Sequence, residues 1–144
     1  MTFNNNASMV GFFPQGVSVE EVIAKDTKEL EEVGGSFEAI ASRMEEIVRF
    51  AEENSRNLPE TMDDKVRVIF YIATRGMQLC PYGGCDYEGQ RIKGWNEDIS
   101  IINPSTGREL VVNSGTAHLA RVHNLLEKGN KYGISAKEFY QHFI

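Results

Sequence analysis

An α+β fold is predicted by three features of this 144-residue sequence. Two strongly periodic helical stretches occupy its first third. A pair of short β-type runs joined by a Pro-Ser-Thr-Gly turn follows later. The texture between them changes at Gly76, from regular periodicity to a stretch rich in Gly, Tyr, Asp and Asn. The expected order is an antiparallel helical pair, a third helix, and then a small module of knuckle, β-hairpin and helix.

Residues 1–17 read as a flexible or docking arm before a single compact domain, 18–144, whose parts are helical 18–76 and zinc-binding α+β 77–144. Within the arm, Phe12 and Phe13 are too apolar to stay in water. They are expected to cover the core or to pair with a second copy of the chain. The first helix is predicted over 18–33. Ser18 with Glu21 forms a capping box, and Val19, Val22, Ile23, Leu30 and Val33 share a side. The second, capped by Ser36, carries Phe37, Ile40, Ala41, Met44, Ile47, Val48 and Ala51 at steps of three and four. The Gly34-Gly35 joint suggests that the two helices lie against each other.

Residues 61–75 carry two patterns. Met62, Val66, Ile69, Phe70, Ala73 and Met77 fit a helix with acidic residues in its first turn. Val66, Val68, Ile69, Tyr71 and Ile72 suit a buried strand equally. Length and end charges favour the third helix. Beyond it, 99–103 and 108–113 form the predicted hairpin. A helix is expected from about Ser114 to Lys128, and a last one, capped by Ser135, carries Phe139, Tyr140 and Phe143.

Composition sets the function classes. The chain is 41% hydrophobic and 25% charged, an ordinary globular balance. It has no apolar run long enough to span a bilayer, so no membrane role is expected. The apolar patch from Met9 to Phe13 lacks a cationic flank, since the first Lys or Arg is Lys25. A reducing, cytoplasmic setting is the expectation. The net charge of −6 is split: residues 1–64 carry −9 and residues 65–144 carry +3. The acidic half suits solvated helix faces, and the basic half suits contact with an anion.

The residues that carry chemistry are few. Cys80 and Cys85 are the only cysteines, with four residues between them, and His118 and His123 repeat that gap. Both spacings suit zinc, which takes four tetrahedral ligands from thiolate and imidazole. Gly83 and Gly84 would let the loop curl round one ion. The 32 residues between the pairs contain the hairpin and far exceed the linker of a DNA-reading finger. One difficulty stands: positions five apart on a helix point about 140° from each other. His118 must lie at a frayed helix start, or the helix must be distorted. His142 belongs to the aromatic tail.

One zinc per chain is therefore predicted on Cys80, Cys85, His118 and His123. A closed shell activates no water. There is no metallopeptidase, deaminase, phosphate-loop or dinucleotide signature. The expected function is a zinc-stabilised, non-enzymatic module that binds a protein or nucleic acid through Trp95, Arg108, Arg121, Lys93 and Tyr82. The alternative is a small metal- or thiol-dependent hydrolase on the same cluster. There Glu88 would act as base on an open zinc, or a cysteine nucleophile would be assisted by a histidine and oriented by Asp86 or Asn113.

Overall fold

The computed structural model describes residues 3–5, 11–82, 85–87, 90–91 and 95–144. Its helices are α1 (Val19–Glu32), α2 (Phe37–Glu53), α3 (Ser114–His123) and α4 (Ala136–Phe143). The strands are β1 (Glu60–Thr61), β2 (Arg67–Gln78), β3 (Asp86–Tyr87), β4 (Gln90–Arg91), β5 (Trp95–Ile102) and β6 (Glu109–Val112). Mixed α+β is the observed class. An antiparallel sheet runs β1-β2-β5-β6, and β3-β4 form a separate two-stranded ribbon.

The expected third helix is a strand. Asp63 explains the switch: its Oδ1 accepts from the N–H groups of Lys65 and Val66 at 2.9 and 3.0 Å. That side chain builds a turn, which competes with a helical first turn. Met62 and Asp63 donate to the Val66 carbonyl, and the chain leaves the turn extended. Val66 and Val68 are then wholly buried in the sheet. The predicted hairpin pairs Ile99 with Val112 and Ile102 with Glu109.

The helical pairing also differs from expectation. The helix caps hold: Ser18 accepts from Glu21 N–H and Ser36 from Ala39 N–H. Yet α2 packs mainly on α3, and α1 packs mainly on α4. The stripe of α2 is buried as read, from Phe37 to Ala51, but it faces the sheet and α3. Helix α3 is shorter than predicted, ending at His123 with Asn124 in the left-handed conformation.

Two apolar clusters result. The larger joins α2, β2, β5, β6 and α4 through residues such as Ile40, Ile47, Val68, Ile101 and Phe139. The smaller contains Phe12, Phe13, Val19, Cys80, Cys85, Trp95, Leu119 and Leu125. Residues of α3 contribute to both. No helix among the described residues is long and apolar enough to cross a membrane.

Candidate metal centre

Helix α3 is anchored before it presents its histidines. Asn113 accepts from Thr116 N–H at 2.8 Å, and the Thr116 hydroxyl accepts from Asn113 N–H at 3.0 Å, a reciprocal cap. The buried carboxylate of Glu97 accepts from the Ser114 N–H at 2.7 Å and from its hydroxyl. A negative charge there also suits the helix N-terminus. Trp95 lies across Gly115 so closely that a Cβ at that position would sit 1.8 Å from its ring.

At the other end, α3 closes on Asn124 in the left-handed conformation, and the Leu119 carbonyl accepts from the N–H groups of Asn124 and Leu125. His118 lies inside α3, not at a frayed start, and His123 is its last residue. Their rings nonetheless stand 5.3 Å apart, centroid to centroid.

Both imidazoles then meet the two thiols. Cys85 Sγ lies 3.3 Å from His118 Nε2 and 3.4 Å from His123 Nε2, and Cys80 Sγ lies 3.4 Å from His123 Nε2. All four ligand atoms fall within 4.8 Å of one another. Zinc–sulfur bonds of roughly 2.3 Å and zinc–nitrogen bonds of roughly 2.0–2.1 Å give tetrahedral S···N edges of about 3.5–3.6 Å. The observed edges are close to that figure, so the four residues are arranged to bind one metal ion. The carbonyl end of α3, next to His123, adds a favourable negative potential for a cation.

Electrostatics at these four residues fit a soft site. Burial pushes the Cys80 thiol up to about 11. Burial, and then the neighbouring His118, push His123 down to about 4. Burial lowers His118 as well. The imidazoles therefore stand neutral, as ligation requires, while a bound cation would have to draw the proton from the Cys80 thiol.

Neither a protein family, a curated protein nor a solved structure matches this chain.

The surroundings of the centre include residues that the sequence did not connect to it. The Tyr82 ring stacks on His123 with centroids 4.0 Å apart and planes 17° from parallel. Phe3 packs edge-on against Tyr82, and Asn4 N–H donates to the Pro81 carbonyl at 2.7 Å. The arm is then pinned by Asn5, whose Oδ1 accepts from the N–H groups of both Phe12 and Phe13 at 2.9 Å. Phe12 is fully buried and Phe13 nearly so. The adjacent phenylalanines were the only sequence signal for this closure.

The residues expected to form a basic, aromatic face stand in different settings. Trp95 is 4% exposed and fills the smaller core, so its ring is not offered to a partner. Arg121 Nε donates to Glu45 at 2.8 Å and its terminal nitrogen to Ser42 at 2.9 Å. Arg108 donates to the Glu109 carbonyl at 2.9 Å and lies 3.6 Å from Glu138. Tyr82 covers a metal ligand. Lys93, Glu88, Gly83 and Gly84 lie outside the described residues. Of the residues considered for a hydrolase, Asn113 is committed to capping α3. His142 sits elsewhere, with Nδ1 2.9 Å from the Thr106 hydroxyl.

Proposed function

We propose that the chain is a non-enzymatic binding module stabilised by one zinc ion held by Cys80, Cys85, His118 and His123. The convergence of two sulfur and two nitrogen ligand atoms within 4.8 Å carries this reading. Two thiolates and two imidazoles in tetrahedral array favour zinc over hard cations, which prefer oxygen. With four protein ligands the metal has no position for a substrate or an activated water. Its contribution is to fasten the Cys80–Cys85 segment and the N-terminal arm onto α3. Buried, unpaired thiols also suit the reducing interior of a cell.

The reading favours a protein partner. Arg108 and Arg121 are engaged by Glu138 and Glu45 within the chain, which leaves less charge for phosphates. Phe70 and Ile72 on β2 are 44% and 49% exposed, an apolar surface of the kind protein partners cover.

Elemental analysis of purified, reduced protein tests the metal: one zinc per chain is expected, and a chain without metal overturns the reading. Titration with single-stranded RNA and DNA at low and physiological salt tests the partner. No salt-sensitive binding is expected. Salt-sensitive binding that Arg108→Ala and Arg121→Ala both weaken would make the partner a nucleic acid. A zinc held by only three of the four residues, with an ordered water, would support the hydrolase instead.

A further inference from the structure

We propose that Cys80 and Cys85 are also an oxidation site, at which a hydroperoxide converts the metal-binding pair to a disulfide, expels the zinc and frees the N-terminal arm. The inference rests on the zinc reading and adds a regulation of that centre. The two thiols are the chain's only cysteines, and their sulfurs lie within 4.8 Å of each other. Around a tetrahedral zinc, two sulfurs would stand roughly 3.8 Å apart, given bonds near 2.3 Å. A disulfide needs about 2.05 Å. Closing that gap removes both sulfurs from the metal, and two imidazoles alone make half a shell.

The step balances. The thiolate of Cys80, the more exposed of the two residues, attacks one oxygen of the hydroperoxide; an S–O bond forms as the O–O bond breaks, leaving Cys80 as a sulfenic acid. The alkoxide or hydroxide released takes up one proton. The Cys85 thiolate then attacks the Cys80 sulfur, the S–S bond forms as the S–O bond breaks, and the hydroxide that leaves takes up one proton from solvent to become water. Two electrons pass from the sulfur pair to the peroxide. The zinc leaves as the divalent ion.

The consequence for the arm follows from who touches whom. Cys80 is followed directly by Pro81 and Tyr82, the two residues that hold the start of the arm. Asn4 is bonded to the Pro81 carbonyl, and Phe3 packs on Tyr82, Phe12 and Phe13. Tyr82 in turn rests on His123. A disulfide draws Cys80 away from His123 and pulls this stack apart. The arm also bridges to the loop after α3, because Lys128 N–H donates to the Phe12 carbonyl at 3.0 Å. That bond is a reporter remote from the sulfurs.

The experiment uses the full, reduced, zinc-loaded chain treated with hydrogen peroxide. Released zinc is followed with a chromogenic chelator, the thiol state by intact mass, and the arm by amide hydrogen exchange. One zinc released per disulfide formed is expected. Protection at Phe12, Phe13 and Lys128 should fall by roughly tenfold or more, and a dithiol reductant with added zinc should restore it. A disulfide that leaves the zinc bound, zinc loss through sulfinic acid without a disulfide, or unchanged protection after zinc loss would each overturn the inference while leaving the zinc reading intact. A reduced chain that takes up no zinc overturns both.

Discussion

Single residues set the limits of both cores. Gly115 is a glycine because the Trp95 ring occupies the place of its side chain. Gly115→Ala should destabilise the protein by at least the roughly 1–3 kcal/mol typical of overpacking, measured by chemical denaturation. An unchanged midpoint would mean that Trp95 can leave α3. Glu127 gives a second prediction. It is 3% exposed, its Oε1 accepts from Asn130 at 3.0 Å, and its Oε2 is buried with no hydrogen-bond partner among the described residues. Burial raises its pKa from 4.5 to about 7. The folded chain thus keeps a proton that the unfolded chain loses between those values. The contribution is fully present below the unfolded value and is lost as pH rises through the folded one. The loss is about 3 kcal/mol over the window. Glu127→Gln cannot titrate, so the stability of wild type relative to this variant should fall by that amount from about pH 4.5 to about pH 8. A difference that is flat with pH would show that Glu127 is ionised in the fold.

At the scale of elements, what could be read from sequence was local and periodic. The α2 stripe is buried residue for residue, and Met44 is 1% exposed. Met44→Ala should cost about 2–5 kcal/mol in unfolding free energy. Which surface the stripe faces was not legible. Gly34-Gly35 implied a partner in α1, whereas the chain sends α1 to α4 and α2 to α3. A short joint limits how far apart two helix ends lie, but the packing of the faces is decided by elements later in the chain. Residues 61–75 failed for a related reason. Helical spacing and β-branching coexisted there, and a side-chain turn at Asp63 tipped the balance. The metal ligands were legible because spacing is itself chemistry. How His118 and His123 come to face one ion was not, because a regular helix sets positions five apart about 140° from each other. The expected surface of Trp95, Arg108 and Arg121 rested on composition alone, and composition does not distinguish a free arginine from one held by Glu45.

For the whole molecule, the two cores differ in what sustains them. The larger is built on hydrogen-bonded sheet and helices, with β5, β6 and α4 all belonging to it. The smaller joins the arm and the two cysteines to α1, β5 and α3 through Val19, Trp95 and Leu119. In such a region the free energy of metal binding is the free energy of folding. The sequence suggested that loss of zinc would unfold at least the C-terminal half; the place of both cysteines in the smaller core predicts an effect centred there. Chelation should therefore abolish hydrogen-exchange protection at Phe12, Phe13 and Leu125 while Val68, Ile101 and Val112 stay protected. Thermal unfolding of the chelated chain should retain one cooperative transition from the larger core. In the metal-loaded chain the smaller core should melt at a temperature that rises with free zinc, since a ligand bound only by the folded form stabilises it in proportion to the logarithm of its concentration. Because α3 is shared, its first turn, held by Asn113 and Glu97, should stay ordered and its last turn should fray. Simultaneous loss of protection at Val68 and Phe12 on chelation would show that the shared helix couples the two cores into one unit, and that the metal governs the whole fold.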